Sequence, residues 1–219
     1  MEGADLDPGT LRAIILTHGH TDHVSGADVI ARQLGLPVRA NRATAAEVHE
    51  RLGRTLHTLE AFKTGEPFEV GCIEVVAFPV PHNAAEPVGF VLTGDRRLGI
   101  TTDLGCATPE VESSLCDCDI VVLESNHDLG MLWNGPYDYD LKVRIASKRG
   151  HLSNSQAAAI IDRVYHRGLR HVVLAHVSDD NNQPQLPVET VRSALGDRSR
   201  AVIISRGWKR EVGDLIEIP

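Results

Sequence analysis

The segment from His18 to His23 (His-Gly-His-Thr-Asp-His) limits the possible folds of this chain more than any other. Four of its six residues are metal-ligand types, and it directly follows the apolar run Ala13–Leu16. Such a run is typical of a buried strand, and residues two apart in a strand point the same way. Imidazole and carboxylate groups together suit divalent zinc, manganese or iron. The pattern predicts a metal site at a strand end, with a solvated loop that binds nothing as the alternative.

Three further ligand-type residues follow strand-like segments in the same way. They are His82 after Ile73–Phe78, Asp103 after Leu98–Thr102, and His176 after His171–Ala175. A hydrogen-bonded His, or an Asp that caps a turn, explains each residue equally well when it is taken alone. Four strand ends that carry such residues on one rim of a sheet favour metal ligation instead. Gly105 is expected to let the backbone turn tightly after Asp103.

This order of motifs resembles that of the metallo-β-lactamase-fold hydrolases, in which His-x-His-x-Asp-His is followed by a His, an Asp and a final His. The similarity runs from about Leu11 to the C-terminus. It implies an α/β chain with an αββα sandwich and two divalent ions, zinc or manganese, with iron as a further candidate. The implied ligands are His18, His20 and His82 for one ion, Asp22, His23 and His176 for the other, and Asp103 as the bridge. A water or hydroxide would lie between the ions.

Two later segments resemble one branch of this family more closely than the others. Asp119–Asp128 contains Glu-Ser-Asn-His-Asp, and Gly150–Asn154 reads Gly-His-Leu-Ser-Asn. Similar runs, together with Leu-Lys-x-Arg-Ile and Leu-Ala-His-x-Ser, occur in the YycJ/WalJ-type metallo-hydrolases of the tRNase Z-like phosphodiesterase branch, which are regarded as DNA exonucleases. The resemblance implies a phosphodiesterase or nuclease, with DNA favoured over RNA as the substrate.

Such a reaction needs a nucleophile and a proton donor. Two divalent ions lower the pKa of a water between them, so that hydroxide exists at neutral pH. His151 is the candidate donor for the departing alkoxide, because imidazole can carry a proton near neutral pH. Glu124 is expected to accept a hydrogen bond from the other nitrogen of His151, and Asp22 completes the predicted catalytic set. Pairing of Glu124 with Lys148 or Arg149, and a helix cap at His151, are the structural alternatives.

Charge is distributed unevenly along the chain. The net charge of −8 over 219 residues argues against broad phosphate binding, which depends on Lys and Arg. Leu141–Arg149, however, contains only cations among its charged residues and leads directly into His151. Contact with substrate phosphates and a solvated helix face are both open for this run. The predicted substrate-binding residues are Lys142, Arg144, Lys148, Arg149 and Asn154.

Length and composition set further bounds. A chain of 219 residues fits one α/β domain over 1–219. The four cysteines follow no disulfide framework, which predicts reduced thiols in a cytoplasmic protein. No apolar run approaches the length of a membrane span, so no membrane association is expected.

The remaining pattern predicts alternating helices and strands. Helices are predicted at Ser25–Leu34, Ala43–Leu52, Asn154–Arg167 and Pro187–Leu195, with a further helix that opens at Thr108. Strands are predicted as a pair within Gly71–Leu92, and at Ala201–Ser205 and Glu211–Ile218. Asn126–Tyr139 is predicted to be a long loop that covers substrate, in which Trp133 and Tyr137 either stack on bases or pack against the domain.

The chain departs from the resembled family at its start. Members open with a β-hairpin that carries Ser-Gly-Ser-x-Gly-Asn and Leu-x-Asp-x-Gly, whereas only Met1–Thr10 precede the similar region here. We therefore expect an N-terminally truncated chain, with roughly 40 to 50 further codons upstream on the family pattern, or else a trimmed copy with an open sheet edge.

Three functions stay open on the sequence alone. The first is the nuclease. The second is a lactone, thioester or β-lactam hydrolase on the same fold, which would need no proton donor at His151. The third is a trimmed, non-catalytic copy that binds metal. The oligomeric state is open as well, with a dimer as one alternative.

Overall fold

The structure, a computed structural model, describes residues 7–53, 55–56, 58–208 and 213. Internal contacts divide the chain into two units. Unit 1 comprises Met1–Pro79 and Asn83–Gly94, and unit 2 comprises Val80–His82 and Asp95–Pro219. The single domain over 1–219 stays a prediction, and each unit is described by itself.

Unit 1 alternates short strands and helices. Its strands are β1 (Ile14–Ile15), β2 (Val38–Asn41), β3 (Leu59–Phe62), β4 (Pro67–Val70), β5 (Ile73–Pro79) and β6 (Val88–Thr93). Its helices are α1 (Thr21–Val24), α2 (Ala27–Leu34) and α3 (Arg42–Leu52), after a 3-10 helix at Pro8–Thr10. β1, β2 and β3 pair in parallel, whereas β4, β5 and β6 form antiparallel pairs.

Two apolar clusters stabilise unit 1. The first packs residues of α1, α2 and α3 against β2, and Val38 and Val48 at its centre are fully buried. The second contains Phe62, Phe68 and Phe90, where Phe62 stacks on Phe68 with 4.9 Å between the ring centroids. α2 ends where the sequence predicts, because Gly35 takes the left-handed conformation (φ 66°) that glycine adopts without steric cost.

Unit 2 carries parallel strands and longer helices. Its strands β7 (Arg97–Thr101), β8 (Ile120–Glu124), β9 (His171–Ala175) and β10 (Ile203–Arg206) pair in chain order. Its helices are α4 (Pro109–Leu115), α5 (Leu129–Asn134), α6 (Tyr139–Ile145), α7 (Asn154–Val164) and α8 (Leu186–Leu195), followed by a 3-10 helix at Gly196–Ala201. α7 packs against α4 and α8. β8 and β9, the two inner strands of this set, are largely apolar and are buried or half-buried, as parallel strands covered by helices require.

The register of these strands brings their carboxyl ends to one edge of the sheet. Thr101 of β7 pairs with Leu123 of β8, and Glu124 pairs with Ala175 of β9. The residues that follow each strand therefore meet at this edge, which is where open α/β sheets bind their ligands. The structure thus confirms the alternating α/β pattern and the strand-end placement of the candidate residues in this unit.

The prediction of a long loop at Asn126–Tyr139 is wrong. The segment contains α5 and the first residue of α6. Asp128 starts α5, because its Oδ1 accepts a hydrogen bond from the Met131 amide at 2.9 Å. Such a cap satisfies a backbone donor that the first helical turn leaves over. A short helix with a local cap has too few residues to display a clear apolar period.

Other predicted boundaries hold to within a few residues. α7 ends at Val164 rather than Arg167, and β10 begins at Ile203 because a 3-10 helix occupies the preceding residues. Apart from Gly213, the predicted strand 211–218 lies outside the described residues. All four cysteines are free, as predicted. In the described ranges, no helix has the length and apolar character of a bilayer span.

Candidate active site

In unit 1, the predicted histidine segment follows β1 and turns into α1. The His18 ring lies against those of His20 and His23, with centroid distances of 4.6 and 4.2 Å. His20 Nε2 is 2.8 Å from the carbonyl oxygen of Asn83. Because a carbonyl only accepts, Nε2 donates. A hydrogen bond that holds one ring nitrogen is typical of imidazoles that bind metal. Asp22 is mostly exposed, 3.6 Å from His23 Nε2.

In unit 2, four ligand-type side chains meet at the carboxyl edge of the parallel strands. Asp103, Glu124, His151 and His176 each offer one ligand atom within 4.8 Å of the others. Asp103 Oδ1 is 3.5 Å from His176 Nδ1 and 3.9 Å from His151 Nδ1. His82 adjoins them, with its Nε2 4.0 Å from Asp103 Oδ1. The structure therefore brings together all the unit 2 residues that the sequence assigns to metal binding or proton transfer.

Glu124 is the buried centre of this cluster. Its Oε1 accepts hydrogen bonds from the Nδ1 atoms of His151 and His176, both at 2.7 Å. Its Oε2 accepts from the backbone amides of Leu104 at 3.0 Å and Leu152 at 3.2 Å. Burial raises the pKa of Glu124, but the two imidazoles outweigh burial and lower the pKa to about 2. Glu124 is therefore ionised at neutral pH and pairs with histidines, not with the cations considered as alternatives.

These contacts determine which nitrogen of each imidazole ring donates a hydrogen bond. A carboxylate only accepts, so His151 and His176 donate from Nδ1 to Glu124. His82 Nδ1 is likewise 3.1 Å from the carbonyl oxygen of Gly150, to which it donates. All three rings are thus held through Nδ1, as metal-binding imidazoles commonly are held through one ring nitrogen.

Two of the site residues adopt an uncommon backbone conformation. Asp103 has φ 58° and His176 has φ 53°; His176 directly follows β9, and Asp103 lies two residues after β7. Left-handed backbone costs a non-glycine residue about 1–3 kcal/mol and is concentrated at functional sites. The tight turn at this edge is thus made by the ligand-type residues themselves.

Gly105 has a different role from the predicted one. A Cβ at this position would lie 2.4 Å from the Ser147 carbonyl oxygen and from the Lys148 carbonyl carbon. Its amide also donates to the Pro81 carbonyl oxygen at 2.9 Å. Gly105 therefore allows close approach of the backbone that precedes His151, rather than a turn of its own.

The predicted substrate-binding residues fall into two groups. Lys142 and Arg149 lie toward the surface, where Lys142 Nζ donates to the Trp133 carbonyl at 3.0 Å and Arg149 Nε donates to the His82 carbonyl at 3.1 Å. Arg144 and Lys148 are exposed. Asn154 is only 3% exposed, and its amide bonds Ser125 at 2.7 Å and Asn182 at 2.9 Å. This internal network occupies the Asn154 side chain, and its contact with substrate stays a prediction.

His127, whose role the sequence leaves open, with a place beside substrate as one alternative, is completely buried. Within the described part of the chain, neither of its ring nitrogens has a hydrogen-bond partner. Burial lowers the pKa of His127 to about 4, although the charge of Glu124 opposes part of this shift. In the sequence, only the position of His127 within the Glu-Ser-Asn-His-Asp run could have indicated a functional role.

A protein-family model described as "Beta-lactamase superfamily domain" matches residues 3–177 of the chain. The match covers well over half of the 219 residues. The chain belongs to the β-lactamase superfamily.

Curated relatives define a narrower group. The chain is 34% identical over 201 residues to "Exodeoxyribonuclease YycJ" of Bacillus anthracis, which covers 91% of this chain and 76% of that protein. It is 32% identical over 199 residues to "Exodeoxyribonuclease WalJ" of Streptococcus pneumoniae, with 89% and 74% covered. Within the superfamily, the chain belongs to the YycJ/WalJ family, as its motifs predict.

Solved structures show the same fold at lower identity. The metallo-β-lactamase fold protein YhfI from Bacillus subtilis aligns with a TM-score of 0.69 and 18% identity, over 93% of this chain and 77% of YhfI. A diphosphatase of the PhnP family aligns with a TM-score of 0.59 and 20% identity, over 88% and 67%. The predicted metallo-β-lactamase fold is confirmed. The fold and the donor set together imply the use of divalent metal.

Proposed function

We propose that this protein is a metal-dependent phosphodiesterase that degrades DNA from a strand end. The observation that carries the proposal is the buried Glu124 carboxylate, whose Oε1 holds His151 and His176 through Nδ1 at 2.7 Å. A hydrolase that expels an alkoxide needs such an oriented imidazole. The names of the YycJ and WalJ relatives support DNA as the substrate.

The metal would be held by imidazole and carboxylate donors. The predicted ligands are His18, His20, Asp22, His23, His82, Asp103 and His176, and two ions, zinc or manganese, stay a prediction. The imidazoles held through one ring nitrogen, His82 and His176 in unit 2 and His20 in unit 1, support it. When bound, a divalent ion supplies a Lewis acid that offsets negative charge on the phosphate and activates water.

His151 would deliver the proton. Its Nδ1 is occupied by Glu124, so Nε2 is the atom that can carry a proton to the leaving group. The bond to the Glu124 carboxylate also holds the orientation of the ring. As an oxygen from water forms the new bond to phosphorus, the P–O bond to the leaving group breaks, and the departing oxygen takes the proton from Nε2 and leaves as an alcohol. His151 then becomes neutral and regains its proton from water.

The test compares two leaving groups. His151→Ala should lose roughly 10²–10⁴-fold in turnover on a DNA phosphodiester, because the departing alkoxide needs a proton. Its loss on bis-p-nitrophenyl phosphate should be much smaller, because nitrophenolate leaves without protonation. Metal content, measured by mass spectrometry, reports whether the variant keeps its ions.

A matched control is His166→Ala, which removes another part-buried imidazole that bonds a carbonyl, that of Cys118 at 3.0 Å. It should keep wild-type turnover on both substrates. Equal losses of His151→Ala on the two substrates, or wild-type activity on DNA, would remove His151 from the reaction. That outcome would favour hydrolysis of a lactone or thioester instead.

A further inference from the structure

Two adjacent helices of unit 2 expose a group of large apolar side chains. Leu129 and Trp133 of α5 are each 44% exposed, and Tyr139 and Val143 of α6 are 72% and 43% exposed. Each pair is spaced i,i+4 and so shares one helix face. The Trp133 and Tyr139 rings lie 6.3 Å apart between centroids. Single exposed apolar residues are ordinary, but a contiguous group marks an interaction surface. We name these four residues the α5–α6 surface.

Cations border the α5–α6 surface. Lys142 Nζ donates to the Trp133 carbonyl at 3.0 Å and so lies beside the aromatic pair. Arg144 follows on α6 and is exposed, while the exposed acids Asp138 and Asp140 flank Tyr139 at the start of the helix. Apolar rings beside Lys and Arg fit a partner that has flat aromatic faces and a negatively charged backbone. Single-stranded nucleic acid has both.

Backbone contacts join the same helix to the candidate proton donor. The His151 amide donates to the Ile145 carbonyl at 2.8 Å. A Cβ at Gly150 would lie 2.2 Å from the carbonyl oxygens of Arg144 and Ile145, so only glycine allows this contact. From Tyr139, α6 extends about 9 Å at about 1.5 Å per residue. About three nucleotides of a stacked strand, at roughly 3.4 Å each, cover that distance.

We propose that the α5–α6 surface is a stacking platform for bases of single-stranded DNA, about two to four nucleotides from the bond that is cleaved. Trp133 and Tyr139 stack on bases, and Lys142 and Arg144 neutralise the intervening phosphates. The choice of DNA rests on the proposed function. Tyr137, which the sequence suggested for stacking, is held by Asp180 through its hydroxyl at 2.6 Å.

Binding and turnover test the platform. The full-length, Mn²⁺-loaded protein is titrated against a fluorescein-labelled 12-nucleotide oligothymidylate with phosphorothioate linkages, which resist cleavage. Trp133→Ala/Tyr139→Ala should raise the Kd by roughly 10- to 100-fold, since each base–aromatic stack contributes measurably to affinity. Trp133→Phe/Tyr139→Phe keeps both ring faces and should restore binding to within a few-fold. Ile30→Ala, which removes an exposed apolar side chain of α2, is the matched control and should bind as wild type does.

Substrate length supplies a second readout. With unmodified DNA, the ratio of kcat/KM for a 12-mer to that for a dinucleotide should fall about tenfold or more in the double alanine variant. A dinucleotide is too short to reach from the cleaved bond to the α5–α6 surface, so loss of general stability would change both substrates alike. An unchanged ratio would overturn the platform.

The remaining outcomes separate this inference from the proposed function. If the wild type cleaves DNA and the double alanine variant binds DNA as tightly as the wild type does, the platform is overturned and the proposed function is not. Binding that depends on Trp133, without cleavage of DNA by the wild type, supports the platform and contradicts the proposed function. Equal binding of an RNA 12-mer overturns the choice of DNA. A change in sedimentation with unaltered DNA binding would instead assign the surface to contact between two copies of the chain.

Discussion

Replacement of Glu124 by Gln removes one charge from the centre of the candidate site without changing its shape. The carboxylate is completely buried and accepts two imidazole and two backbone hydrogen bonds, two on each oxygen. A glutamine has one oxygen and one NH2 group at these positions. Whichever way the amide turns, its NH2 group faces two N–H donors that previously had an acceptor.

The magnitude follows from those two donors. A buried donor that loses its acceptor costs about 1–3 kcal/mol, so Glu124→Gln should lose about 2–6 kcal/mol of unfolding free energy. The pKa of Glu124 gives a second measure, because it falls from 4.5 to about 2 in the folded protein. At about 1.4 kcal/mol per pKa unit, this shift corresponds to about 3 kcal/mol in favour of the ionised carboxylate.

Urea unfolding followed by circular dichroism measures this loss at pH 7. A folded pKa below the ordinary value stabilises the protein fully above pH 4.5, and this stabilisation disappears as the pH falls toward 2. The difference between wild type and Glu124→Gln should therefore shrink over that interval. Glu112→Gln, whose carboxylate pairs with Arg163 at the surface at 2.6 Å, is the control and should lose at most about 1 kcal/mol. If Glu124→Gln loses no more unfolding free energy than Glu112→Gln, the predicted cost of the two unpaired donors is wrong.

Two further predictions concern neighbouring residues. The pKa of His127 falls from 6.5 to about 4 on folding. As the pH falls, the unfolded chain therefore takes up this proton before the folded protein does, and the melting temperature of the wild type should decline from pH 6.5 to 4. His127→Gln should reduce this decline, and an unaltered pH profile of the melting temperature would contradict the prediction. Gly105→Ala should lose about 1–3 kcal/mol in urea unfolding, because its Cβ would meet backbone atoms at 2.4 Å. Gly94→Ala, where nothing lies within 4 Å, is its control; equal stability of the two variants would be the contrary result.

The strand-end residues of unit 2 could be predicted from sequence because of a general property of parallel sheets. Asp103 and His176 each follow an apolar run, and parallel strands place such positions on one edge. Local pattern and sheet geometry were sufficient for these two residues. The bond between Glu124 and His151 was predicted differently, because the segments that carry the two residues resemble those of the tRNase Z-like phosphodiesterases.

Other features depend on partners that are distant in the sequence. Glu124 also accepts from His176, 52 residues away, and no local pattern indicates that one carboxylate serves two imidazoles. Asn154 resembled a substrate contact, but Asn182, 28 residues later, holds its amide inside the unit. Tyr139 rather than Tyr137 is the exposed ring, because Asp180 bonds the hydroxyl of Tyr137. Side-chain partners of this kind become visible only after the chain has folded.

The most direct test of the account is the substrate itself. Purified protein loaded with manganese or zinc is incubated with end-labelled single-stranded DNA, and with RNA, a lactone and a thioester in parallel. We expect mononucleotides to be released progressively from one DNA end, with loss of release after chelation of the metal and recovery when the metal is restored. Intact DNA beside a hydrolysed lactone or thioester would contradict the proposed phosphodiesterase activity.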